Sequence, residues 1–356
     1  MAFKLSALGQ SNGTSGWSGT YATDTALFLK VFAGEVLTTF ETNTVMLPLH
    51  TVRTISEGKS AQFPVTGTAT AGYHTPGQSI YLGNQLDGYI SSTTGATFTG
   101  VAATAFNSTY LNQIKHAEKV INIDDELIAA TFISKLDEAR NHYDVRSIYS
   151  TELGRSLAKQ MDKNLIGLGV LAARASTTIT GGFGGSRLDI TATTTRTDTS
   201  AADIIAGIYA AAQKLDEKDV PAEDRYCIVE PWAYYKLVQE KSLINKDFSG
   251  ANGDFAGAIV LEAAGIKIIK SNNAGAVFGQ NLSSVTGQQN TYTGDFSGTV
   301  ALVFHKSAIG TVKLMDLKME TEYSVERRGN LMVAGYAIGH GILRPEAAVE
   351  LNLTAS

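Results

Sequence analysis

The chain is 356 residues long with a formal net charge of −5, enough for one large domain or two ordinary ones and without the basic excess of a protein that lives on phosphate contacts. Its 44% hydrophobic content is that of a folded globular protein, while its 18% charged fraction falls below the usual ~25%, with Thr, Ala, Ser and 35 glycines filling the gap. One cysteine, Cys227, excludes an internal disulfide framework and a cysteine-based zinc site, and no stretch approaches the ~20 apolar residues of a membrane span.

A low-charge, Thr-rich surface meets little repulsion when copies associate, so the composition leans towards assembly. An ordinary mildly acidic cytosolic protein explains the charge equally well. The first residues, MAFKLSALGQSNGTSGWSGT, hold too short an apolar run for a signal peptide, so a cytoplasmic origin is expected.

Residues 1–24 are Gly/Ser-rich and expected to form a flexible arm. From Asp24 to Phe40, Leu27, Val31 and Val36 recur at helical period beside Phe28 and Phe32, which predicts a short packed helix. From Thr51 to about Gln113, Thr, Ser, Gly, Gln and Tyr dominate, with Pro64 and Pro76 as breakers. Such a stretch cannot bury a core alone, so it is expected to be an extended β-hairpin or loop ordered by something else. Ala117–Asp124 alternates Ile121 and Ile123 with Asn122 and Asp124 and reads as a half-buried strand.

Leu153, Leu157, Met161, Leu165 and Leu168 recur at spacings of four and three, predicting a helix from about Asp144 to Ala173 with the Asp144 carboxylate capping its start. Thirty helical residues extend about 45 Å, far beyond the mean helix of about 11–12 residues. Residues 176–199 read as a Gly/Thr-rich boundary. A helix (Ala201–Leu215), a strand (Tyr226–Glu230), a helix (Pro231–Glu240) and a strand (Gly265–Lys270) follow, as expected of an α+β or α/β module. Asn272–Gly298 reads as a long polar surface loop. Leu317, Met319, Thr321, Tyr323 and Val325 then alternate with polar residues along one long strand, and Leu331–Ile338 supplies its partner.

No catalytic, cofactor or metal motif survives inspection. Gly58–Lys59–Ser60 resembles the end of a phosphate loop, but Arg53 stands where its first glycine belongs. Gly182–Arg187 lacks the third glycine of a dinucleotide fingerprint. The six histidines show no metal-ligand spacing, and His142 and Asp144 point apart on a helix. Asp124, Asp125 and Glu126 read as acidic residues at a strand-to-helix passage, favoured by the helix dipole. Cys227, in the apolar run RYCIVEP, reads as a buried inert thiol. No catalytic residue, cofactor or metal ligand is therefore expected.

Three blocks carry a resemblance. They are ALFLKVFAGEVLTTFETNTVMLPLHTVRTISEGKSAQFPV (Ala26–Val65), NHYDVRSIYSTELGRSLA (Asn141–Ala158), and the closing pair HKSAIGTVKL (His305–Leu314) and YAIGHGILRPEAA (Tyr336–Ala348). In order and spacing they resemble the major capsid proteins of the T-seven-like (autographivirus-type) short-tailed bacteriophages. The resemblance implies the Hong-Kong-97-type capsid fold, an α+β architecture. Its parts would be an N-terminal arm and first helix (1–50), an extended loop (51–118, enlarged at 78–113), a peripheral domain (119–176) whose spine helix spans about 144–173, an axial domain (177–300), and C-terminal strands (301–356) returning to the peripheral domain.

It further implies self-assembly as hexamers and pentamers into an icosahedral shell, synthesis in a bacterial cytoplasm, and double-stranded DNA enclosed without sequence-specific binding. Implied partners are a separate scaffold protein, a portal protein, and a cement or decoration protein unless the enlarged 78–113 segment replaces it. On the extended loop, Arg53 and Lys59 would present charge to a neighbour's carboxylates, with Phe63, Tyr73, Tyr81, Tyr89, Phe98 and Tyr110 as further inter-subunit contact candidates. The rival readings are an encapsulin-like compartment shell, which shares the fold, and a tail or decoration protein with a Thr-rich β surface.

Overall fold

The computed structural model describes residues 36–40, 43–67, 69, 73, 116–136, 145–178, 182–190, 195–240, 253–254, 259–260 and 262–353. In chain order they form β1 (Thr51–Thr54), β2 (Ser60–Thr66), β3 (His116–Asn122), β4 (Leu127–Ser134), α1 (Val145–Arg174), β5 (Ser186–Ile190), α2 (Ala201–Asp216), β6 (Arg225–Val229) and α3 (Pro231–Gln239). The short strands β7 (Gly253–Asp254), β8 (Ile259–Val260) and β9 (Glu262–Ala263) lead to β10 (Ile266–Lys270), β11 (Thr299–His305), β12 (Ile309–Ser324), β13 (Gly329–Ile342) and β14 (Ala348–Leu353).

Two main sheets result, a four-stranded one in the order β1-β12-β13-β4 and a six-stranded one in the order β5-β14-β11-β6-β10-β9. The helix α1 lies between them, against β13 and β4 of the first and β14 and β11 of the second. Its burial follows from that position. Leu157 and Met161 form an inward stripe in the first half, and from Leu165 to Val170 every residue is buried, because the helix there has sheet on both sides. Gly167 and Gly169 allow this approach: a Cβ on them would meet the Tyr292 carbonyl oxygen at 2.7 Å and Leu302 Cδ2 at 2.5 Å.

The six-stranded sheet is covered on both faces, so β11, TVALVFH, is a near-continuous apolar run instead of an alternating one. The helix α2 buries Ile204, Ile208, Ala211 and Leu215 and begins at Ser200, whose hydroxyl accepts the Asp203 N–H at 3.1 Å. Cys227 is fully buried in β6 and its thiol is pushed up to about 12 by burial, as expected of an inert residue. β12 and β13 pair along nearly their whole length, and the exposed positions of β12 from Asp316 to Glu322 alternate as the period of two requires.

Four expectations are corrected. β1 does not belong to the extended loop: it pairs in parallel with Gly310–Lys313 of β12, so among the described residues the hairpin comprises β2 and β3. The acidic triplet Asp124–Glu126 joins two strands, β3 and β4, and has no helix to cap. Asn272–Gly298 is not a mere surface loop, since Val277, Phe278, Tyr292 and Phe296 are buried in the main core. Finally, the strands after residue 300 do not return together. β12 and β13 pair with β1 and β4, whereas β11 and β14 pair with β6 and β5. The Asp144 cap and the helix before Val36 lie outside the described residues.

Candidate inter-subunit surface

The β2–β3 hairpin is a two-stranded sheet of its own that rests on β13 and β12 through β3. Only its root is buried: Ala61 and Ile121, directly opposite each other, join Val312 and Leu343 in a small cluster of their own. Beyond the root, the described residues on both faces are exposed or half-buried, so among the described residues the ribbon is steadied mainly from its root. Arg53 of β1 supplies one brace. Its Nη1 donates to the Gln62 carbonyl at 2.8 Å, and its guanidinium lies over the Phe63 ring at 5.7 Å. Three predicted contact residues are thus brought to one place: Arg53 and Phe63 against each other, and Lys59, exposed, at the start of β2. Tyr73 is exposed beyond the hairpin, while Tyr81, Tyr89, Phe98 and Tyr110 lie outside the described residues.

A second brace holds the turn after β3. The Asp124 carboxylate accepts the Gln289 N–H at 2.7 Å, the Asn290 N–H at 3.2 Å and the Tyr292 hydroxyl, while Asn290 Nδ2 reaches back to the Asn122 carbonyl at 2.7 Å. Burial raises the Asp124 pKa above the ordinary carboxylate range, and these donors pull it back; burial likewise raises that of the Tyr292 hydroxyl. Tyr292 also accepts the His340 N–H at 3.0 Å, and its carbonyl abuts Gly167. A continuous path of contacts thus runs from the hairpin root to the middle of α1.

A third staple secures the chain before β1. Asp162 of α1 accepts the N–H groups of Val45 and Met46 at 2.9 and 3.1 Å, and the Asn273 amide at 2.7 Å. Above it, Thr311 Oγ1 lies 2.6 Å from His50 Nε2 and 2.8 Å from His340 Nδ1, and His50 Nδ1 lies 2.7 Å from the Met46 carbonyl. Burial lowers His50 to about 4 and His340 to about 3. Sequence reading missed these buried polar groups, because each pairs with residues far away along the chain.

Between the β3–β4 turn, the edge of β4, the outer turns of α1 and residues 285–288 runs an open groove of about 350 Å³. Leu127, Ala129, Leu157, Tyr336 and Ile338 give it an apolar floor, and Gln160, Lys163, Asn164 and Gln288 a polar rim. No group of His, Cys, Asp and Glu suited to a metal occurs among the described residues, and no helix among them is long and apolar enough to cross a membrane. What the molecule offers is a projecting ribbon, a rigid rod between two sheets and buried staples joining them, an arrangement suited to carrying load between copies.

Comparison with known proteins agrees. A family model described as Gp10A-like, major capsid protein, matches residues 104–352. The major capsid protein of Escherichia phage T7 is 32% identical over 96% of both chains, and that of Enterobacteria phage T3 is 33% identical over 96% of this chain and 95% of its own. The capsid structure of the cyanophage P-SCSP1u superimposes with a TM-score of 0.72 at 41% identity, covering 88% of this chain and 89% of the other. The α+β arrangement of spine helix, hairpin and two sheets is the Hong-Kong-97-type capsid fold, and the chain belongs to the Gp10A-like major capsid proteins of tailed phages, a structural family and not an enzymatic one.

Proposed function

We propose that this chain is the repeating subunit of an icosahedral phage head, self-associating as hexamers and pentamers around double-stranded DNA that it holds without reading its sequence. Family membership makes it a capsid protein of the virion. The observation that carries the finer reading is the pairing of a rigid core with a hairpin that, among the described residues, is buried at its root alone. The spine helix α1 is clamped between two sheets, and among the described residues the β2–β3 ribbon finds burial only at its root. Such a ribbon gains order by lying on another copy, so binding energy accumulates through backbone pairing and apolar burial repeated over the shell.

In this reading the four-stranded sheet with α1 forms the peripheral domain, and the six-stranded sheet with α2 and α3 forms the axial domain at capsomer centres. Lys59, Phe63 and Tyr73, with Tyr81, Tyr89, Phe98 and Tyr110 further along the same segment, are the contacts offered to a neighbour. Arg53 braces the ribbon from within its own subunit. The low net negative charge suits a wall that must let DNA slide during packaging and ejection. Synthesis in the host cytoplasm, a separate scaffold, a portal and an optional decoration protein complete the expected set of partners.

Electron microscopy of the chain co-expressed with a scaffold protein tests the reading. Closed particles of uniform diameter are expected, and a chain that stays monomeric under these conditions would sink it. Charge reversal at Lys59 should then reduce particle yield without lowering the thermal stability of the unassembled subunit.

A further inference from the structure

Residues 43–50 bring the chain to β1 through a single 3-10 turn at Leu47–Leu49. Met46 and Leu49 are buried in the main core, but the segment belongs to neither sheet. Among the described residues, every hydrogen bond from it to the rest of the subunit ends on one of two side chains. Asp162 of α1 accepts the N–H groups of Val45 and Met46, and Thr311 of β12 meets His50. Its other bonds stay local, from Asn43 to Thr39, from Thr44 to Phe40, and from Leu49 and His50 to Met46. The strands beneath are held far more firmly, since β12 and β13 pair from Ile309↔Ile342 to Ser324↔Gly329. The segment is thus a lightly held wall of the buried cluster His50, Thr311 and His340.

That cluster has no place for another proton. With both rings neutral, His50 Nε2 accepts the Thr311 hydroxyl, and a proton added there makes it a donor and leaves the hydroxyl hydrogen without its acceptor. The charged groups that face His50 are cations, Lys313 of β12 and Lys306 of the turn before it. His340 of β13 faces Thr311, His50 and the edge of the Tyr292 ring, 5.7 Å away between centroids. Two buried carboxylates stand one link further off, Asp162 behind the Met46 peptide and Asp124 behind the Tyr292 hydroxyl. Among the described residues neither is bonded to a ring.

We propose that the bridge is a proton-sensitive latch: at neutral pH it seats residues 43–50 against α1 and β12, and mild acid releases them from a subunit that otherwise stays folded. Once the segment lifts, His50 is in water and ionises near its ordinary value of about 6.5. Seated, it resists protonation down to about 4 because it is buried. Proton uptake therefore favours the lifted state as pH falls through that interval. Asp162 acts in the opposite sense, since burial raises it while the segment is seated, so it favours the seat as pH enters the carboxylate range. Release accordingly belongs above that range. β1 starts at the next residue and carries Arg53, which braces the hairpin. With the ribbon lying on a neighbour, as proposed for the shell, release loosens that contact from its root. The latch itself is tested without assembly, so the two readings stand or fall separately.

Amide hydrogen exchange in the full-length, unassembled subunit tests this, with rates corrected for the intrinsic pH dependence of exchange. The opening constant at Val45, Met46 and Leu49 should rise at least about eightfold from pH 6 to pH 5, the share of one histidine. At both pH values these amides should exchange about a hundredfold faster than those of β11, which open only with the whole fold. An opening constant that stays flat across this interval would overturn the proposal. So would amides of residues 45–49 that exchange no faster than β11, because global unfolding alone would then expose them. His50→Gln keeps a donor and an acceptor at the bridge and removes the titration, so it should lower the rise about eightfold. A variant as steep as wild type would show that another group takes up the proton. Where the variant does not fold, the wild-type slope and the gap to β11 still decide.

Discussion

His50 and His340, drawn from the two ends of the described chain, are joined through one hydroxyl, that of Thr311, at 2.6 and 2.8 Å. With both rings neutral, these distances allow one self-consistent proton order. His50 Nδ1–H donates to the Met46 carbonyl, so its Nε2 accepts from Thr311, whose oxygen accepts from His340 Nδ1–H. Neutrality follows from burial, which lowers His50 to about 4 and His340 to about 3; Lys313 and Lys306 add to this for His50, and His50 adds for His340.

A pH dependence follows from this. The unfolded chain takes up protons on both histidines below about 6.5, and the folded chain does so only near the lowered values, so stability falls as pH drops through that window, by up to ~1.4 kcal/mol per pH unit per histidine. Asp124 and Asp162, raised by burial, act in the opposite sense. Comparison with His340→Asn isolates the histidine. Between pH 6 and 4.5 the variant's stability should fall less steeply than wild type, by about 1.4 kcal/mol per pH unit. Parallel denaturation curves at every pH would show that His340 takes up its proton in the folded chain.

Thr311→Val tests the bridge itself. Valine keeps the shape and leaves a buried N–H on His340 and a buried acceptor on His50 without partners, each worth about 1–3 kcal/mol. Urea denaturation at pH 7 should show a loss of about 3 kcal/mol. A loss well under 1 kcal/mol would mean that neither ring depends on the hydroxyl.

The elements around this bridge were legible to very different degrees. Helices α1 and α2 and the β12–β13 pair could be read because each writes its own period; the helices lie within about a residue of their expected bounds, whereas β12 begins well before Leu317, at Ile309, and β13 runs past Ile338 to Ile342. The parallel pairing of β1 with β12 could not, because four residues of TVRT say nothing about a partner far along the chain. Phe278, Tyr292 and Phe296 looked like decoration on a polar loop, since Gly, Gln, Asn and Ser separate them; all three are buried, and Tyr292 and Phe296 lie against Gly167 of the spine helix. Asp124 was placed correctly in the chain but given the wrong task. Its donors are in residues 289–292, and no local pattern announces them. Of the contact candidates, Arg53 and Phe63 were both identified, and their mutual stacking was not.

Asp162→Asn should loosen the chain before β1. The carboxylate accepts three donors on two oxygens, and an amide replaces one oxygen with another donor, setting N–H against N–H. A loss of about 2–3 kcal/mol is expected. Hydrogen exchange should report it locally, with residues 45–50 losing protection and α2 retaining it. Uniform protection in the variant would show that the staple does not hold this segment.

Gly339→Ala addresses how the hairpin root sits on the sheet. A Cβ there would stand 1.9 Å from the Asn122 carbonyl oxygen and 2.9 Å from Ile123 Cα, both backbone atoms that no rotamer change can move. Either β3 lifts from β13 or the substitution is not tolerated, at a cost of about 3 kcal/mol or more. The hairpin's direction would change with it, so assembly should fail even at temperatures where the subunit remains folded. Normal particles from this variant would show that the root tolerates displacement.

Glu350 and Arg174 give the sharpest test of what a buried charge pair contributes here. Glu350, fully buried in β14, receives Arg174 Nε and Nη2 at 2.7 and 2.6 Å and the Thr299 hydroxyl at 2.6 Å. Arg174 is the last residue of α1, where a cation is favoured by the helix dipole, and it lies over Phe296 at 5.3 Å. Glu350→Ala strands the partly buried guanidinium and should cost about 3–5 kcal/mol. Removing both charges with Arg174→Met and Glu350→Leu together takes partners only from the Thr299 hydroxyl and from the Asp295 carbonyl, on an exposed residue, while apolar side chains of similar volume replace a costly desolvation. The double variant should therefore be at least about 2 kcal/mol more stable than Glu350→Ala alone. If it is equally unstable, the pair specifies geometry at the end of the spine helix that packing cannot replace.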